Sequence, residues 1–243
     1  MMILGGCIVA GILAVALSPG EREPEYGGKK LSEWVNIYVL ASAGSRAKGQ
    51  AQTAVRNIGT NGIPFLLSWI RDDAPAWKLG LLRAGAVVER KWSKGGRILN
   101  SMAGNPELRS WASVSGFGIL GAEAKGAVPD LRTIMLQTEW PMRREEAALS
   151  MANVGEAGSC ALLDVATNRA FPLMLRGYAI QALDERWMMP DRPPVVLTSA
   201  AVPGLVGMLD EPDYALRSAA TNVLWKLAPE TLGTNAVRGG EGK

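Results

Sequence analysis

Histidine is absent from the 243 residues of this chain. That removes imidazole general acid/base catalysis, Ser-His-Asp and Cys-His nucleophile pairs, and imidazole metal ligation. Cysteine is nearly absent too. Cys7 and Cys160 are the only two, too few for a zinc set of the usual Cys and His type, and Cys7 lies inside an apolar run, so no disulfide between them is expected. A dominant charge is also missing: 26 Lys and Arg stand against 23 Asp and Glu, a formal +3. So small and interspersed an excess argues against nucleic acid or acidic lipid as the partner. Strand signals are scarce. Pro193-Pro194-Val195-Val196-Leu197 is the one short extended stretch, and its prolines favour a surface loop over a sheet.

The N-terminus is apolar without interruption. Residues 1–17 (MMILGGCIVAGILAVAL) carry no charge before Ser18-Pro19-Gly20 breaks the run. The length suits the core of an export signal and falls near the lower limit for a membrane-spanning helix. Ala14-Val15-Ala16 would serve as a small-x-small cleavage site. No Lys or Arg precedes the run, and Leu4-Gly5-Gly6-Cys7 resembles a lipobox, although the apolar stretch follows that cysteine. The expectation is an export signal or membrane anchor, with membrane contact through residues 2–17 if uncleaved. Arg22, Lys29 and Lys30 follow the run and would favour a cytoplasmic body in an uncleaved chain; export is preferred. Residues 18–30, with Pro19, Gly20, Pro24, Gly27 and Gly28 among charges, read as an exposed spacer. The folded domain is expected over 31–232, and 233–243 as a disordered tail.

Within the domain the sequence repeats. AQTAVRNIGTNGIPFLLSWIRDD from Ala51, WASVSGFGILGAEAKGAVPDLRTIML from Trp111 and EEAALSMANVGEAGSCALLDVATN from Glu145 align with one another. A fourth unit is split into LRGYAIQALDER from Leu175 and SAAVPGLVGMLDEPD from Ser199. Each reads as an amphipathic helix, a break near glycine, and a second helix, often opened by a Val-Pro or Ile-Pro step. Gly59, Gly121 and Gly155 suit the positive φ that closes a helix, and Pro64, Pro129 and Pro203 suit the first turn of the next, where a missing N–H is harmless. Helical spacing follows in Phe65, Leu66 and Trp69, in Leu131, Ile134 and Met135, and in Leu205, Met208 and Leu209. Positions before the break (Ile58, Leu120, Val154, Leu183, Leu227) give a unit of roughly 30 to 45 residues, with a degenerate unit over 76–100 and an insertion over 188–198. Ala147, Ala148, Ala152, Ala179, Ala182, Ala219 and Ala220 fall on first helices, where small side chains permit close packing.

The phrases Ala-Ala-Leu-x-x-Ala-Asn-Val-Gly at 147–155 and Ala-Val-Pro-x-Leu-x-x-x-Leu at 201–209 resemble bacterial HEAT-repeat proteins, of the phycobilin-lyase HEAT-like, armadillo-type group. Ala127-Val128-Pro129-Asp130-Leu131 repeats the second phrase. Tyr26, Gly28, Lys29, Leu31, Ser32 and Trp34 fit a leader that follows the export segment in such proteins. The resemblance covers about 31–232. It implies an all-α fold, an α-solenoid of HEAT-like helical hairpins behind an N-terminal hydrophobic helix, that binds partners along a curved surface.

Catalytic chemistry finds little footing. Adjacent carboxylates such as Glu145-Glu146 diverge by about 100° on a helix, so they, like the Arg143-Arg144 pair before them, read as a solvated face. Asp210-Glu211-Pro212-Asp213 reads as a polar turn between units, with Asp213 as an N-cap for a helix from Tyr214. Cys160 reads as a small buried residue at the start of a second helix. Gly116 to Gly121 matches G-x-G-x-x-G only superficially, because no strand precedes it. Eight tryptophans are many, and Trp69, Trp77, Trp92 and Trp140 lie near Arg or Lys, the composition of binding hot spots. In such arrays second helices line the concave side, which makes Trp69 and Arg132 the candidate partner-binding residues. The expected function is a noncatalytic scaffold, exported or membrane-tethered, that binds a protein and needs no cofactor or metal. The alternatives are an enzyme or enzyme accessory like the phycobilin lyases, and a nucleic-acid-binding HEAT-like protein.

Overall fold

The computed structural model describes residues 22–71, 106–184 and 194–232. The degenerate unit, Trp77 and Trp92, the apolar N-terminus and the C-terminal tail lie outside these residues. What is described is all-α apart from one two-residue hairpin, β1 (Glu25–Tyr26) with β2 (Lys29–Lys30), paired antiparallel with Glu25 opposite Lys30. Thus part of the stretch read as spacer packs on the domain. The Ser32 N–H donates to the Glu23 carboxylate, the Leu31 N–H to the Pro24 carbonyl at 3.0 Å, and the Trp34 indole to the Tyr26 carbonyl at 2.8 Å.

The helices are α1 (Leu31–Leu40), α2 (Arg46–Ile58), α3 (Ile63–Arg71), α4 (Pro106–Leu120), α5 (Val128–Gln137), α6 (Pro141–Asn153), α7 (Glu156–Thr167), α8 (Leu173–Leu183), α9 (Val202–Gly207) and α10 (Tyr214–Leu227). Their ends follow the local chemistry expected. Gly59, Gly121 and Gly155 have φ of 61°, 56° and 83°, values that exclude most side chains. Pro64, Pro129 and Pro203 each stand second in their helix. Asp213 caps α10, accepting from the Leu216 N–H at 3.0 Å, and Ser45 caps α2 through the Lys48 N–H.

Two layers result. The first helices α2, α4, α6, α8 and α10 touch in succession, the second helices α3, α5, α7 and α9 do likewise, and α1 packs on α2 and α4. One continuous apolar core runs between the layers from Leu31 to Leu224. Close approach sets the geometry of the α6–α7 pair: a Cβ on Gly158 would overlap the Met151 carbonyl oxygen, so only glycine lets α7 pass there. Residues 194–198 take neither helix nor strand, and Val195 and Leu197 pack on the core.

Tertiary packing overturns three local expectations. Glu146 is buried, not solvated; its carboxylate accepts from the Ser110 hydroxyl across the α4–α6 interface. Glu211, in the expected polar turn, is also buried. Cys160 is exposed.

Candidate interaction edge

A short phrase places the charged side chains. Arg109, Arg144, Arg176 and Arg217 each stand fourth in a first helix, and three residues later Ala112, Ala147, Ala179 and Ala220 are buried against the neighbouring layer. The alanine lets the helices approach, and Arg144, Arg176 and Arg217, one turn from the helix start, reach carbonyls at or just past the C-terminal end of a second helix. Arg144 Nε donates to the Thr138 carbonyl at 2.7 Å, Arg176 Nε to the Ala166 carbonyl at 2.8 Å, and Arg217 Nη1 to the Glu211 and Pro212 carbonyls at 2.6 and 2.8 Å. Arg143 donates to the Ile70 carbonyl at 3.1 Å and also to that of Arg71. Cations at carbonyl-bearing helix ends satisfy orphan acceptors and oppose the negative end of the helix dipole.

At one of these junctions two guanidiniums share a carboxylate. Glu211 Oε1 accepts from Arg176 Nη2 at 2.8 Å and from Arg169 Nε at 2.9 Å, and Oε2 accepts from Arg176 Nη1 at 3.2 Å. The Arg176 hydrogen bond chiefly, and Arg169 after it, outweigh the opposing effect of burial and hold the Glu211 carboxyl at about 2 rather than 4.5. Second helices are joined by more exposed pairs: Arg71 with Asp130 at 2.6 Å, and Arg132 with Asp164 at 2.5 Å.

The first helices run parallel. Near their C-terminal ends Arg56 reaches the Ile119 carbonyl at 3.3 Å, and near their N-terminal ends Ser110 meets Glu146. The molecule therefore has two edges. One carries the glycine turns and the start of α1, where Leu31 packs against Gly62. The other carries the connections between hairpins and the N-terminal ends of the first helices, and most of the large exposed apolar side chains lie there: Val39 and Leu40 at the end of α1, Trp140 and Met142 at α6, Leu173 and Met174 at α8, and Tyr214 at α10. Trp140 is 68% exposed and Tyr214 75%.

Of the residues picked from the sequence, Trp69 is 7% exposed and belongs to the core, so it has little surface to offer. Arg132 is occupied by Asp164 and stacks 5.9 Å from the centre of the Phe171 ring. Trp140 does stand on the exposed edge. Met142, Leu173, Met174 and Tyr214 were missed, although their place in the sequence, up to three residues ahead of the recurring arginine, was a readable signal. No group of three or more Cys, Asp or Glu suited to a metal ion occurs among the described residues, and no helix among them is long and apolar enough to cross a membrane. Comparison of the chain with family models, curated proteins and solved structures finds no match.

Proposed function

We propose that this protein is a noncatalytic scaffold, an α-solenoid of HEAT-like hairpins exported or tethered through its apolar N-terminus, that binds another protein. The observation that carries the reading is the row of exposed Trp140, Met142, Leu173, Met174 and Tyr214 along one edge. Scattered exposed apolar residues are ordinary, but large ones gathered at equivalent positions of successive helices are the usual mark of an interface, and Trp, Tyr and Met are enriched in interface centres. The binding surface is thus the inter-hairpin edge, in place of the concave side that Trp69 and Arg132 would have marked. The lack of histidine and the structural employment of Glu146 and Glu211 favour this over an enzyme. Arginines that end on the protein's own carbonyls and carboxylates favour it over a nucleic-acid binder, which needs cations free for phosphate.

Photo-crosslinking in the native cell tests it. A photoreactive residue at position 140 or 173 is expected to capture the same protein, and one at position 123, on the glycine-turn edge, is expected to capture none. Equal capture from both edges, or none from either, overturns the reading.

A further inference from the structure

Asparagine followed by glycine occurs once in the chain, at Asn61–Gly62. The step falls in the 3-10 turn, Gly59–Gly62, that joins α2 to α3. Asn61 is exposed, and its side-chain amide has no hydrogen-bond partner among the described residues. The amides of Asn57, Asn153 and Asn222, in contrast, are engaged by Thr53, Val114 and Asp184. Gly62 is buried. A Cβ built there would stand 3.1 Å from Leu31 Cδ2 and 3.5 Å from Ile58 Cγ2, so the turn occupies the corner where α1, α2 and α3 meet.

The pair is reactive by its own chemistry, because a glycine nitrogen carries no neighbouring side chain to obstruct it. The Gly62 nitrogen attacks the side-chain carbonyl carbon of Asn61, and the new N–C bond closes a five-membered imide. The side-chain nitrogen leaves as ammonia, taking the proton that the Gly62 nitrogen gives up. Water then opens the ring and returns the proton to that nitrogen. Opening at the side-chain carbonyl gives aspartate, and opening at the main-chain carbonyl gives isoaspartate.

The folded corner opposes the first step. In a 3-10 turn ψ stays at about −20 to −30°, which holds the following nitrogen away from the side-chain carbonyl. Ring closure requires the Asn61–Gly62 peptide to rotate out of that setting. Such a rotation carries Gly62 off Leu31 and Ile58 and breaks the hydrogen bond from the Ile63 N–H to the Thr60 carbonyl. The reaction therefore waits for the corner to open, and its rate is the chemical rate multiplied by the open fraction.

We propose that Asn61–Gly62 is a spontaneous modification site that the packed corner of α1, α2 and α3 keeps shut, and that its isoaspartate product holds the corner open. Isoaspartate lengthens the main chain by one carbon and adds a carboxylate. A four-residue turn between two packed helices has no slack for the extra atom, so Gly62 does not return to its place against Leu31. Aspartate keeps the main-chain length and lets the turn reclose.

The test incubates the full chain near neutral pH, folded or unfolded in guanidinium, and follows Asn61 by mass spectrometry after digestion, with electron-transfer fragmentation telling isoaspartate from aspartate. In the unfolded chain Asn61 should convert ahead of every other asparagine, and in the folded chain at least tenfold more slowly. Leu31→Ala, which removes the side chain lying over Gly62, should raise the folded-state rate at least threefold; if melting shows that variant unfolded, Leu31→Val takes its place. Chains carrying isoaspartate should melt at a lower temperature than unmodified ones, while Asn61→Asp melts with the wild type. Equal rates in folded and unfolded chains, a rate indifferent to residue 31, or an isoaspartate form that melts with the unmodified chain overturns the proposal. So does another asparagine that converts ahead of Asn61 in the unfolded chain.

Discussion

Arg176 of α8 and Glu211, just ahead of α10, lie 2.8 Å apart with both side chains 6% exposed. The same arginine holds the Ala166 carbonyl of α7 at 2.8 Å. One buried guanidinium therefore ties α7, α8 and the approach to α10 together, across the insertion that separates α8 from α9. Removing one partner of a buried pair strands the other, which is far more damaging than the loss of a surface pair.

Glu211→Gln is accordingly expected to destabilise the fold by about 3 kcal/mol. Urea denaturation followed by circular dichroism measures it. Arg169→Gln removes the exposed second partner and should change stability by about 1 kcal/mol or less. Equal effects from the two would mean that the Arg176 contact is not what holds this junction.

The same carboxylate fixes an acid dependence. Its pKa is lowered on folding, to about 2 from 4.5, so its contribution is present above the unfolded value and is lost as pH falls through the folded value. Wild-type stability should thus decline between about pH 4.5 and 2 more steeply than that of Glu211→Gln. Parallel acid-unfolding curves for the two proteins would contradict this.

Gly158→Ala places a methyl group into the Met151 carbonyl and should destabilise by about 1–3 kcal/mol. Gly126→Ala meets open space and should stay within about 0.5 kcal/mol of the wild type. Thermal melts of the two variants side by side make the comparison.

The exposed rungs between second helices should matter little. Arg132→Gln and Arg71→Gln are each expected to lower stability by about 1 kcal/mol or less, with the difference shrinking as salt is raised. A large, salt-independent loss in denaturant titrations would show that these pairs are structural keystones.

The sequence by itself determined the local elements. Gly59, Gly121 and Gly155 end helices because positive φ is nearly free only to glycine, Pro64, Pro129 and Pro203 open them because the first turn needs no N–H, and Asp213 caps α10 as its position promised. These are effects within a few residues, and they extend to the helical spacing that put Leu66, Leu131, Ile134, Met135 and Leu205 in the core.

Tertiary structure decided which polar and aromatic groups are covered. Trp69 went inside with the stripe of Leu66 and Ile70, Glu146 was buried by the arrival of α4 carrying Ser110, and Glu211 by arginines from residues 35 and 42 positions earlier in the chain. Cys160 was left outside. The exposed edge arose in the same way, because parallel stacking of the first helices brings Trp140, Leu173 and Tyr214 to one side. Periodicity fixes which residues share a face of a helix; what that face meets depends on helices far along the chain, and burial of a charge is decided there by the partner that arrives.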